Sequence, residues 1–131
     1  MTADATGPTA ARRKPRVLVV EDSDDQRNLL GRHVEKAGGT VELAASGEEA
    51  LEIVDRFLPD IIVIDLIMPG TDGWQLTSRM REIVPQAAIV ISSVLDAHDY
   101  PAAEAVLPKP FTGEQVRRLI ERLGEERVHG E

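Results

Sequence analysis

The 131-residue chain contains no cysteine, so it can build neither a disulfide framework nor a thiolate metal site. That suits a reducing compartment, and the cytoplasm is the expected location. Long apolar runs are missing too. The longest extend over four or five residues, too few to insert across a membrane, and the polar N-terminus lacks the apolar segment of a signal peptide. An excess of positive charge is equally absent: the formal charge is −8, whereas a nucleic-acid surface needs clustered Lys and Arg that the body of the chain lacks. Arg12, Arg13, Lys14 and Arg16 do cluster, but beside a leader rich in Thr, Ala and Pro they read as a solvated tail.

What is present is a chain 42% hydrophobic, long enough for one core and too short for two ordinary domains. The pattern divides it into a disordered leader (1–15), a folded domain (16–124) and a polar tail (125–131). The domain is organised around Ile61 to Gly73, where four β-favouring apolar residues without alternation run into Asp65. Such a run predicts a strand buried on both faces. Pro69, Gly70 and Gly73 make the next segment a turn, so Asp65 stands at the strand's carboxyl end.

Val17 to Val20 is a second such strand, and it too ends in acid, Glu21 and Asp22. Ser23 or Asp24 can cap a helix whose apolar stripe is Leu29, Leu30, His33, Val34 and Ala37, ended by Gly38 and Gly39. Thr40 to Ala44 is a strand with polar interruptions, as expected near a sheet edge. Ser46 and Glu49 form a capping box for a helix with Ala50, Leu51, Val54, Phe57 and Leu58 inward and Pro59 as its stop. Leu76, Met80, Ile83 and Val84 mark a third helix, with Trp74 a partly buried residue at its start. Ala88 to Ile91 is another buried strand, ending in Ser92 and Ser93. Ala105 to Leu107 leads into Pro108, Lys109, Pro110 and Phe111, and Thr112 with Gln115 caps a last helix carrying Val116, Leu119, Ile120 and Leu123. Alternating strands and helices imply parallel strands, right-handed crossovers and a sheet covered on both faces.

In that topology the first and third strands are neighbours ending on the same side, which brings Glu21, Asp22 and Asp65 together. Three converging carboxylates repel one another, and a hard divalent cation relieves them; Mg2+ suits few carboxylates, some water and an incoming phosphate oxygen. The competing reading, that Glu21 and Asp22 only cap a helix and face solvent, would serve for one acid but serves poorly for two strand ends. Lys109, held between two prolines, is positioned to reach an anion near Asp65, and Lys109–Pro110 is a candidate for the cis form. Ser92 offers a hydroxyl to the same place.

These residues together resemble the receiver domains of two-component response regulators: Glu21–Asp22, the Asp65-Leu-Ile-Met-Pro-Gly-Thr-Asp-Gly73 segment, Ser92, and Lys109-Pro110-Phe111. Each is weak alone, and the four in order are highly specific. The resemblance covers Arg16 to about Leu123. It implies a flavodoxin-like (βα)5 fold with a doubly wound five-stranded parallel sheet of order 2-1-3-4-5 and five helices. It further implies Asp65 as phosphoacceptor, Asp22 as direct Mg2+ ligand, Glu21 holding the metal through water, and the backbone carbonyl of Ile67 as a further ligand. Ser92 would follow the phosphoryl group and Lys109 would be its charge partner. The implied partners are a sensor histidine kinase or phosphotransfer protein and a downstream protein contacted directly, since no DNA-binding or catalytic segment follows Leu123.

Three features depart from the family pattern. Only 17 positions separate Ser92 from Lys109, and Pro101 disfavours helix at Tyr100, so the fourth helix is expected to be shortened or displaced. Val106 stands where the family commonly has an aromatic switch residue, a role for which Tyr100 is the candidate substitute. Ile67 and Val94, which flank the path of attacking water in the family, are apolar, and slow autodephosphorylation is expected. Among other functions, a haloacid dehalogenase-type phosphohydrolase would need an acid where Ile67 stands. A flavodoxin-like cofactor binder would need a hydroxyl- and glycine-rich loop where Asp22-Ser-Asp-Asp25 would repel phosphate. A degenerate receiver acting as a phosphorylation-independent interaction module is the remaining alternative.

Overall fold

A computed structural model describes residues 13–128. Its central sheet has five parallel strands, β1 (Arg16–Val20), β2 (Thr40–Ala44), β3 (Ile61–Asp65), β4 (Ala88–Ser92) and β5 (Ala105–Val106), in the spatial order β2-β1-β3-β4-β5. Helices α1 (Asp24–Lys36), α2 (Gly47–Phe57) and α3 (Gly73–Ile83) form the crossovers, and α4 (Gly113–Val128) follows β5. This is the doubly wound, flavodoxin-like sheet that the alternating pattern predicts.

The unbroken apolar runs have a direct structural cause. Successive residues of a strand face opposite sides, so one run feeds two cores. Leu18, Val20, Ile62, Ile64, Ile89 and Ile91 pack against Ile53 and Val54 of α2 and Leu76 and Met80 of α3. Their alternates, Val17, Val19, Ile61, Val63 and Val90, pack against Leu30 and Val34 of α1 and Val116, Leu119, Ile120 and Leu123 of α4. Each such burial contributes about 1.5–3 kcal/mol. A one-residue slip would exchange the two layers along a whole strand, so the register is firmly specified. Val20 pairs with Ile64 and Asp65 with Ser92. Three strand ends therefore stop together at one edge of the sheet.

Helix starts follow the predicted caps. Ser23 Oγ accepts from Gln26 N, Ser46 Oγ accepts from Glu49 N, and Thr112 and Gln115 satisfy each other's backbone amides. The turn after β3 closes as a small hairpin in which Ile67 pairs with Asp72 and Met68 with Thr71. Gly70 sits at its tip with φ +72°, where a side chain would be strained. Gly73 opens α3 so close to β3 that an added Cβ would lie 2.6 Å from Leu66 Cα.

Several details differ from the sequence reading. Leu58 does not face the core but is 58% exposed. It caps α2 with φ 51°, because Pro59 excludes the helical conformation one residue earlier. The polar segment from Glu125 is helical as far as Val128, since Glu and Arg are good helix formers and continue α4 without needing an apolar face; residues 129–131 lie outside the described residues. Of the expected disordered leader, 1–12 also lie outside them, together with Arg12 of the basic cluster. Arg13 and Pro15 engage the body: Arg13 forks onto Asp60 and Pro15 O accepts from Thr40 N. The fourth family helix is absent among the described residues. Between β4 and β5 there is only a 3-10 turn, Ala97–Asp99, capped by Asp96. Pro101 prevents its growth into an α-helix. No helix of the described residues is long and apolar enough to cross a membrane.

Candidate functional site

The end of β1 delivers Glu21 and Asp22, the end of β3 delivers Asp65, and the adjacent end of β4 delivers Ser92. One carboxylate oxygen from each of Glu21, Asp22 and Asp65 lies within 4.8 Å of the others. Glu21 and Asp65 are buried, and Asp22 is exposed. Glu21 thus does not merely point into solvent.

Lys109 enters from the loop after β5, on a cis Lys109–Pro110 bond. Its Nζ lies 2.6 Å from Glu21 Oε1 and 3.3 Å from Asp65 Oδ2. The closer ion pair goes to Glu21, which also accepts from Ser23 N at 3.1 Å. Asp65 receives a backbone donor, Ile67 N, on Oδ1 at 3.1 Å. Burial pushes the Asp65 carboxyl above its ordinary range and the charge of Glu21 adds to this, outweighing the Ile67 amide and Lys109. Burial disfavours charge on Lys109, but its bond to Glu21 and the charge of Asp65 raise its pKa on balance. The edge therefore holds more negative charge than one ammonium neutralises.

Ser92 Oγ is buried and has no hydrogen-bond partner among the described residues. Leaving a hydroxyl so placed costs about 1–3 kcal/mol, and an oxyanion arriving at Asp65, its partner in register, would offset that cost. The donor set at this edge is oxygen only, matching a hard cation rather than a thiophilic one. Ile67 and Val94, the apolar residues beside the site, are 50% and 73% exposed.

The arrangement matches a known one. The family profile of the response regulator receiver domain matches residues 17–121. The chain belongs to this family. The receiver is 34% identical over 114 residues to the response regulator MprA of Mycobacterium leprae, covering 82% of this chain and 50% of that protein. It is 34% identical over 115 residues to a 14.6 kDa protein of Leptolyngbya boryana, covering 81% and 87% respectively. The chain thus spans about half the length of MprA and most of the Leptolyngbya protein. Among solved structures, the receiver domain of the Francisella response regulator 1452 aligns with TM-score 0.77 at 27% identity, covering 86% of this chain and 98% of that one. The chemotaxis response regulator CheY4 of Vibrio cholerae aligns with TM-score 0.76 at 26% identity, covering 84% and 98%.

Sequence reasoning missed some supporting residues of the receiver. Arg27 donates to the carbonyls of Glu21 (2.9 Å) and Asp22 (3.2 Å), bracing the acidic turn from the first turn of α1. Its only signal was a cation one helical turn past the cap. Ser93 is fully buried, and its carbonyl accepts from both Lys109 N (3.0 Å) and Tyr100 Oη (2.8 Å). Nothing in the spacing pointed to that convergence. His33 packs as expected, edge-on to Phe111 at 6.4 Å.

Proposed function

We propose that this receiver is a phosphorylation switch in a two-component pathway, with Asp65 as phosphoacceptor. A sensor histidine kinase or phosphotransfer protein presents a phosphohistidine. An Asp65 carboxylate oxygen attacks phosphorus, the phosphorus–nitrogen bond breaks, and the imidazole leaves with the electron pair. Glu21, Asp22, Asp65 and the Ile67 carbonyl would hold Mg2+, which when bound neutralises charge on the transferring group. Lys109 turns from Glu21 toward the phosphoryl oxygens, and Ser92 Oγ donates to one of them. The observation that most supports this reading is the convergence of Asp65, Glu21 and Lys109 beside the unpartnered Ser92 hydroxyl. The chain's chemistry is then confined to its own phosphorylation and dephosphorylation. Output is by contact with a downstream protein in the cytoplasm, without direct nucleic-acid binding, in keeping with the −8 charge.

Incubation with acetyl phosphate and Mg2+ tests this by intact mass. Wild type is expected to gain one phosphate and Asp65→Asn none. Identical masses would favour the second reading, a phosphorylation-independent interaction module, which draws on the missing fourth helix and on the aliphatic Val106, 46% exposed, at the usual aromatic position.

A further inference from the structure

The turn from β1 into α1 carries Glu21 and Asp22, two of the acids proposed to hold Mg2+, and one side chain braces it. Glu21 O and Asp22 O lie past the last residue of β1 and before the first of α1, so neither the strand ladder nor the helix supplies them a donor. Arg27 does. Its Nη1 donates to Glu21 O at 2.9 Å and to Asp22 O at 3.2 Å, while Nη2 pairs with Asp24 Oδ1 at 2.5 Å. The Arg27 side chain is mostly withdrawn from solvent, and its own amide is fixed at 2.8 Å on Ser23 O in the first turn of α1. A cation at that end opposes the helix dipole, which favours acids there. The two carbonyls account for its seat.

The two acids depend on this brace unequally. Glu21 is held four ways: its amide donates to Ala44 O at 3.0 Å, its carbonyl accepts from Arg27, Oε2 accepts from Ser23 N at 3.1 Å, and Oε1 pairs with Lys109 at 2.6 Å. Asp22 is exposed, and the hydrogen bond that anchors its backbone among the described residues comes from Arg27.

We infer that Arg27 is a positioning residue for the divalent cation: by clamping two consecutive carbonyls it holds Asp22, and to a lesser degree Glu21, ready to bind. The inference rests on the metal reading of this edge and goes beyond it, since a guanidinium has no lone pair to offer a metal. Its planar fork spans three acceptors, which the single nitrogen of an ammonium cannot match. A carboxylate fixed in advance loses less freedom on binding a cation, so affinity rises. Charge alone argues the other way, because a cation beside the site repels a second one and its removal would tighten binding. The two effects differ in sign.

The test uses the full chain, no phosphodonor, and Mn2+, which shares the oxygen preference of Mg2+ and whose free ion gives an EPR signal that binding removes. Competition with MgCl2 then reports Mg2+ affinity, and urea unfolding in metal-free buffer measures what each change does to the fold. Arg27→Lys keeps the charge and loses the fork, whereas Arg27→Gln loses both the charge and the fork. Both are expected to weaken metal binding about 10–100-fold, the range for residues that orient metal ligands. Asp24→Asn leaves both carbonyl bonds in place and should change affinity far less. Wild-type affinity in Arg27→Lys, or tighter binding in Arg27→Gln, overturns the inference, as does lost stability with unaltered metal affinity. A fall in Asp24→Asn as large as in Arg27→Lys also overturns it, because the charge of the turn and not its shape would then set affinity. A wild type that binds neither ion overturns the metal reading, and this inference falls with it.

Discussion

Asp60 and Asp65 flank the same strand, are similarly buried at 8% and 6% exposure, and meet opposite treatment. At the amino end, Asp60 is saturated with donors. The Arg13 guanidinium forks onto it at 2.8 and 3.0 Å, and Arg16 N adds a bond at 2.8 Å. Burial alone would raise its pKa, but the Arg13 fork and the Arg16 amide hold it below the ordinary range. At the carboxyl end, Asp65 has one amide, a long contact to Lys109 and a second carboxylate beside it, and its pKa is raised. A carboxylate that holds structure has its lone pairs filled by its own chain. Asp65, the proposed phosphoacceptor, is left short of donors, and the fold tolerates the cost.

The contrast can be broken most strongly at Lys109. Lys109→Ala removes the ammonium that contacts Asp65, and uptake from acetyl phosphate should slow about 10²–10³-fold, the scale of losing one preorganised charge partner. A mass time course reads this directly, and an unaltered rate would show that the site does not depend on that charge.

Asp60→Ala attacks the other end. It should lower unfolding free energy in urea by about 1.5–3 kcal/mol, the range for hydrogen bonds to a charged group, while leaving phosphate uptake unchanged. Because the folded pKa of Asp60 is depressed, its contribution is present above the ordinary value of 3.8 and is lost as pH falls through the depressed value. The gap between wild type and variant should close in acid.

Asp65→Asn should act in the opposite direction and raise stability in metal-free buffer at pH 7 by about 0.5–2 kcal/mol, the scale of single stabilising substitutions. Here the folded pKa is raised, so ionising Asp65 costs stability as pH rises above 3.8. The advantage of Asn should therefore vanish on acidification. Thermal melts across that window check the sign, and a destabilised Asp65→Asn would remove the contrast with Asp60.

The smallest expected effect concerns lifetime. Neither Ile67 nor Val94 can orient a water, so the phosphorylated wild type should persist for minutes or longer. Ile67→Asn or Val94→Gln should shorten this several-fold, followed by intact mass after acetyl phosphate is removed.

Much of this molecule was legible from local rules. The runs at Val17, Ile61 and Ala88 announced strands buried on both sides, the capping pairs at Ser46 and Thr112 announced helix starts, and parallel order brought Glu21, Asp22 and Asp65 to one edge. Those inferences rest on periodicity and short-range chemistry, which neighbouring residues carry. Leu58 was misread because an apolar residue at helical spacing looks inward until the following proline takes it out of the helix. The segment between β4 and β5 was expected to hold a shortened or displaced helix and holds only a 3-10 turn, since Pro101 says where a helix cannot go and not what replaces it.

By itself the sequence determined parallel strands with an acidic edge and a lysine near it, because hydrophobic period and topology leave few other arrangements, while the sheet order was implied by the resemblance its motifs carry. Only the tertiary structure decided which acid Lys109 prefers, that Ser92 is buried without a partner, and that Tyr100 reaches the Ser93 carbonyl. Those are distances of a few ångströms between residues far apart in the chain. Packing of the whole core sets them, and no local pattern encodes them.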